Sequence, residues 1–176
     1  MSQASNRMLE GIRVIDLTSV VFGPYATQIL ADMGAEVIKV EPESGDQFRH
    51  AGRAPVTRGM GPGHFALNRG KRSIVLDLKA PDDLTVMTEL LRTADVFIHN
   101  VRGPAIKRLG LGYEAVKALK PDIIYIHCVG FGSDAPRHPQ SPRGSHGDRL
   151  PGEGDGPGRG DGFRWDEHPG EWDSYD

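Results

Sequence analysis

The sequence predicts an α/β protein built on a doubly wound, mostly parallel sheet. Two observations carry this expectation. Five short apolar runs recur along the first 134 residues. Segments of helical period stand between most of them, and such alternation is the signature of crossover units joining parallel strands.

The elements can be taken in order. Ile12–Leu17, "IRVIDL", reads as a buried strand. In the following "FGPYATQILADMGA", Pro24 suits a first helical turn, where its missing N–H costs nothing. Tyr25, Ile29, Leu30 and Met33 then recur at helical spacing, and Gly34 is a natural stop. Glu36–Glu41, "EVIKVE", is the second strand and completes a strand–helix–strand unit with a right-handed crossover. Pro42–Asn68 carries five glycines and reads as a long functional loop. Ser73–Leu78 is a third strand. Pro81–Thr93 is a helix with Leu84, Met87, Leu90 and Leu91 on one face. Asp95–Asn100 is a fourth strand, two short helical pieces follow around Gly110 and Gly112, and Asp122–Val129 is a fifth strand.

Composition divides the chain. Residues 1–134 hold 16 Lys+Arg against 15 Asp+Glu, whereas residues 135–176 hold 5 Arg, no Lys and 9 Asp+Glu. Those last residues include nine Gly and six Pro but only Leu150 among Leu, Ile and Val, too little apolar surface to offset the ordering of a backbone. A folded region 1–134 and a disordered tail 135–176 are expected. The sole cysteine, Cys128, rules out an internal disulfide and suits a reducing cytoplasm. Met1–Glu10 is polar and shows no secretory pattern. No apolar run approaches the ~20 residues of a membrane span. The formal net charge of −3 gives no support for nucleic-acid binding.

In open α/β sheets ligands sit beyond the carboxyl ends of the strands. Gly23 opens a helix after the first strand, and Glu41 ends the second, where an acidic residue can hold a ribose. A dinucleotide-binding oxidoreductase is therefore one reading, although the three spaced glycines of that fingerprint are absent. The second reading uses the cations Arg69, Lys71, Arg72, Arg102, Lys107 and Arg108 that flank strand ends, suited either to a phosphorylated ligand or to a solvated rim. His99, at a strand end, is a better catalytic candidate than His127 inside a strand or His64 in a flexible loop. Cys128 reads as a packing residue. CxxC, HExxH and GxSxG are all lacking, so no metal is expected and no serine-hydrolase motif is present.

Five blocks stand in order: "GIRVIDLT", "FGPYATQILADMGAEVIKVEP", "NRGKRSIVLDLK", "ADVFIHNVRGPAIKRLGLGYE" and "IIYIHCVGFGSDAP". Together they resemble the amino-terminal part of the family III CoA-transferases, which include formyl-CoA:oxalate and carnitine CoA-transferases and α-methylacyl-CoA racemases. The resemblance covers roughly residues 9–136. It implies a Rossmann-like domain, here incomplete, a smaller second domain and an interlocked homodimer. It implies coenzyme A as a substrate across the carboxyl end of the sheet, with an acyl-CoA and a carboxylic acid as partners. Transfer would run through an aspartyl mixed anhydride and then an aspartyl-CoA thioester, with glycine-rich backbone amides at the oxyanion.

Carried over by position, Lys71 and Arg72 match the family's nucleotide-proximal block. Asn100 and Arg102 match the block that contacts coenzyme A. His99-Asn100-Val101-Arg102-Gly103-Pro104 is closer to the carnitine-type branch, and Val21 stands where some transferases place an active-site Gln. The family's continuation after Gly-Phe-Gly is absent. Asp155, Asp161, His146 and Asp148 lack the flanking pattern of family catalytic residues, so the catalytic residue is unassigned. A truncated chain whose tail derives from a shifted reading frame is expected, and the alternative to a transferase is a non-catalytic CoA-binding or dimerisation fragment.

Overall fold

The computed structural model describes residues 7–52 and 59–130. All of them lie within one unit, Met1–Gly130. The expected disordered tail, 135–176, lies outside the described residues.

Five parallel strands form one sheet in the order β3-β2-β1-β4-β5. They are β1 (Arg13–Leu17), β2 (Glu36–Glu41), β3 (Arg72–Val75), β4 (Val96–His99) and β5 (Ile124–His127). The helices are α1 (Phe22–Asp32), α2 (Pro62–Asn68), α3 (Pro81–Arg92), α4 (Gly103–Arg108) and α5 (Tyr113–Leu119). The expected doubly wound α/β sheet is therefore present.

The central strands are buried on both faces, as their near-continuous apolar runs require. On one face Ile15, Val40 and Phe97 pack with Met87 and Leu91 of α3, Ile106 of α4 and Val116 of α5. On the other, Val14, Val37, Val96 and Ile98 pack with Ala31 of α1. Leu84 and Leu90 of α3 are partly buried against the first cluster, so the face read from the sequence is the face that packs.

Several expectations are corrected. The segment Pro42–Asn68 is not a continuous loop. It holds a 3-10 turn at Gln47–His50, started by the Asp46 carboxylate accepting from the Phe48 N–H, and then α2, opened by Pro62. His64 consequently sits on α2 and is buried, not in a flexible loop. β3 stops at Val75, three residues early, because its partner β2 ends at Glu41 opposite Val75. α1 begins two residues before Pro24.

Three of the four periodic residues of α1 also face away from the core, whereas Leu30 packs partly buried against the second cluster. Tyr25, Ile29 and Met33 are exposed, and the buried side is Gly23, Pro24, Thr27, Gln28 and Ala31. Gly34, at φ +104°, ends the helix in the left-handed region that favours glycine.

Candidate functional site

The strand order diverges on either side of the β1–β4 pair, and the crevice outside their carboxyl ends is where such sheets take ligands. Here it is bordered by the β1–α1 connection, Thr18–Val21, and the β4–α4 connection, Asn100–Arg102. The backbone of the first connection is tied down almost residue by residue.

Asp16, fully buried near the end of β1, supplies the first tie. One carboxylate oxygen accepts from the Thr18 N–H at 3.0 Å and from the Thr18 hydroxyl. The other accepts from the Thr27 hydroxyl of α1 at 2.6 Å and from Lys71 Nζ at 3.1 Å. Lys71 fills its remaining donors with Pro24 O and Asn68 Oδ1, both at 2.9 Å. Burial pushes the Lys71 ammonium down from the ordinary lysine range, with Asp16 acting against that shift.

A second buried network stands on the same side. Lys39 lies beside Asp16 in the β1–β2 register. Its Nζ donates to Thr18 O at 2.7 Å and pairs with Asp46 at 3.0 Å. The Asp46 carboxylate also accepts from the Val20 N–H at 3.1 Å and the Phe48 N–H at 2.9 Å. The Asp46 N–H donates to Glu41, whose two oxygens are bridged by Arg49 at 2.7 Å each. Burial opposes ionisation of Glu41. Arg49, the Asp46 N–H and Lys39 together outweigh it and hold the Glu41 pKa at about 2.

The opposite wall supplies the third tie. Asn100 accepts from the Ser19 N–H at 3.1 Å and donates to Ser19 O at 3.0 Å, acting as a backbone substitute across the crevice. Arg102 occupies the N-cap position of α4. On the near wall, α1 opens with no side-chain cap and no acidic residue in its first turn, so its first N–H groups keep their preference for an anion. A Cβ on Gly23 would lie 2.4 Å from the Thr18 side chain, so glycine permits the close approach of α1.

Beside this crevice His99 is fully buried and stacked on His127, with ring centroids 4.4 Å apart. The Tyr125 hydroxyl donates to Leu111 O, which can only accept, so His99 Nε2 donates to the phenol oxygen at 2.8 Å. Nδ1 is then the bare nitrogen and has no hydrogen-bond partner among the described residues. Burial first, then His127, lower the His99 pKa to about 4, against a smaller opposing effect of the Val101 backbone.

The four residues expected at the coenzyme are thus placed differently from one another. Asn100 and Arg102 border the crevice. Lys71 is buried beneath it and reaches it only through Asp16 and Pro24. Arg72 opens β3 and pairs with Glu36, at the amino end of β2, at 2.9 Å. Glu41, the candidate ribose holder, has both oxygens on Arg49. His127 is exposed and its Nε2 donates to Val101 O. Cys128 is partly buried against the second apolar cluster.

Sequence reasoning passed over Asp16, Lys39, Asp46 and Val20. A signal existed for the first two: each is a charged residue inside a run that must be buried on both faces. Among the described residues no helix is long and apolar enough to cross a membrane, and no three His, Cys, Asp or Glu side chains cluster as a metal site.

Two measurements check this geometry. Asp16→Ala leaves Lys71 buried without its counter-charge, and urea denaturation is expected to show a loss of about 3–5 kcal/mol. Arg92→Ala, which removes an exposed pair with Glu89, is expected to cost under ~1 kcal/mol. For His99 the folded pKa of about 4 lies below the ordinary histidine value of 6.5, so between these values the unfolded chain binds more protons. Stability from this group is complete above pH 6.5 and declines as pH falls toward 4. The melting temperature is expected to fall across that window, and less steeply in His99→Phe.

Comparison with known proteins places the chain. Residues 9–148 match the model of CoA-transferase family III. The succinate–glutarate CoA-transferase of Agrobacterium fabrum is 46% identical over 144 residues, 77% of this chain and 36% of that protein. The acetyl-CoA:oxalate CoA-transferase of Acetobacter aceti is 42% identical over 72% of this chain and 32% of its own length. The crystal structure of a CAIB/BAIF family protein from Brucella suis superposes with a TM-score of 0.68 at 37% identity, covering 72% of this chain and 34% of that one. The chain spans about a third of the length of these relatives. With the family match running through every element that borders the crevice, the chain belongs to CoA-transferase family III.

Proposed function

We propose that this chain carries the coenzyme A-binding part of an acyl-CoA:carboxylate CoA-transferase, and that the coenzyme lies in the β1–β4 crevice. The family match across both walls of that crevice is the observation that supports this reading most. The Agrobacterium fabrum and Acetobacter aceti relatives are CoA-transferases of succinate–glutarate and of acetyl-CoA:oxalate, and a carboxylic acid acceptor is proposed here on that basis.

The residues divide the work. Arg102 offers a guanidinium to a coenzyme phosphate, a fork suited to phosphate oxygens. Arg72, which opens β3 beside Glu36 at the amino end of the strands, lies away from this crevice and is given no contact with the coenzyme there. Asn100 and Lys71 act by holding the β1–α1 connection, one from across the crevice and one from below. The uncapped start of α1 adds backbone N–H groups to the anion-favouring field.

The carboxylate nucleophile of the transfer is not assigned to any residue of this chain. In that chemistry a carboxylate displaces CoA thiolate from the acyl group. The thiolate then attacks the resulting anhydride and frees the first acid, and the acceptor takes CoA from the aspartyl thioester.

A homodimer and a cytoplasmic setting belong to the same proposal. Phe22, Tyr25, Ile29 and Met33 form an exposed apolar stripe along α1 and its C-cap, and such a stripe suits a second copy.

Calorimetric titration tests the reading. Coenzyme A is expected to bind the chain, NADH is not, and Arg102→Ala is expected to weaken coenzyme A about tenfold, consistent with loss of a charge-assisted hydrogen bond. Arg149→Ala serves as the matched control and is expected to bind unchanged. No coenzyme A binding by the unsubstituted chain, or equal loss in both variants, contradicts the assignment.

A further inference from the structure

We propose that Asp46 is a positioning residue for coenzyme A binding: by accepting the Val20 N–H it holds Val20 in the left-handed region and so fixes where α1 opens. This rests on the reading that coenzyme A occupies the β1–β4 crevice.

Val20 is the sole non-glycine residue with positive φ among the described residues, at +71°. A β-branched side chain is poorly suited to that region, and such strain persists only where the surroundings over-determine it. It sits two residues before α1, in the connection that borders the crevice. The neighbouring backbone groups each have another holder. Asp16 takes the Thr18 N–H, Lys39 takes Thr18 O, and Asn100 takes both Ser19 groups. Val20 depends on Asp46.

Asp46 is itself held on every side. Its side chain is 1% exposed, it pairs with Lys39, and its carboxylate starts the 3-10 turn through Phe48. Its N–H is fixed by Glu41, which Arg49 clamps with two bonds. A rigid line of polar contacts thus runs from Arg49 to the strained peptide. Directly after that peptide the helix begins, with its first N–H groups uncapped. Without the Asp46 acceptor, Val20 has a conformational reason to relax to negative φ, which would swing those groups and the Gly23–Thr18 contact out of place.

The test pairs Asp46 with Val20 in the full 176-residue chain, using calorimetry with coenzyme A and amide hydrogen exchange at Val20. Asp46→Ala is expected to lose Val20 protection and to weaken coenzyme A about tenfold, the scale of the released strain. Asp46→Asn keeps an oxygen for the Val20 N–H while breaking the Lys39 pair, so it is expected to bind within about threefold of the original chain. Val20→Gly removes the β-branched side chain that makes positive φ costly. In the Asp46→Ala background it is expected to restore most of the affinity, because glycine adopts positive φ without strain.

A merely structural Asp46 would lower the melting temperature in both backgrounds with no rescue of binding by glycine. That result overturns the inference, as does normal binding by Asp46→Ala. Should Asp46→Ala not fold, Asp46→Asn decides: binding as weak as that of Arg102→Ala assigns the effect to the ion pair and overturns it. Failure of the unsubstituted chain to bind coenzyme A overturns the functional reading itself. Normal binding there with an unaffected Asp46→Ala overturns only the role of Asp46.

Discussion

A carboxylate with no access to water, that of Asp16, joins the parts that make the crevice. It is placed by β1, and through four hydrogen bonds it gathers the β1–α1 connection, the middle of α1 and the segment leading into β3. Sequence separation of these partners reaches 55 residues, for Lys71. Lone buried charges are too costly to survive, so Asp16 requires Lys71, and Lys71 in turn requires Pro24 O and Asn68. Each demand is met by an element that also borders or supports the crevice. Packing of α1 is subordinate to this: its buried side carries Thr27 and Gln28 beside Ala31, and Phe22, Tyr25 and Ile29 are left facing outward.

Two neighbouring positions in the β1–β2 register, Asp16 and Lys39, therefore send opposite charges to the same side of the sheet, and each finds a different partner. Lys39 serves Asp46, and Lys71 serves Asp16. The arrangement spreads charge over four groups and leaves the loop above it little freedom. Such rigidity suits a binding crevice, since groups already held in place lose less entropy when a ligand arrives. The strained Val20 is legible in the same terms: a backbone conformation that the chain would not choose is retained because a buried carboxylate holds it.

Much of the fold could be read from residue patterns. "IRVIDL", "EVIKVE" and "VFIH" are apolar enough to demand burial on both faces, and the helical segment of α3 shows its packing face in Met87 and Leu91. The reading failed where tertiary contacts replaced pattern. Glycines in Pro42–Asn68 suggested a loop, but Pro62 and the Asp46 cap supplied two ordered turns. Apolar spacing in α1 gave the helix and not its orientation, because Asp16 recruits the polar side. Asn100 and Arg102 stood out by motif. Asp46 and Val20 did not, because a left-handed valine and the aspartate that holds it have no local signature in "TSVV" or "ESGD". Lys71 was visible as a cation near a strand, yet only its three partners reveal that its charge is spent inside the protein.

On the proposed reading, a polar framework anchored on Asp16 pre-sets the β1–β4 crevice for coenzyme A. Amide chemical-shift mapping of the 15N-labelled chain titrated with coenzyme A tests it most directly. The largest changes are expected on Ser19–Gly23 and Asn100–Gly103. Amides of Asp16 and Lys39, already locked, are expected to move little. Changes centred on the amino ends of the strands, near Arg13, Glu36 and Asp95, would contradict it.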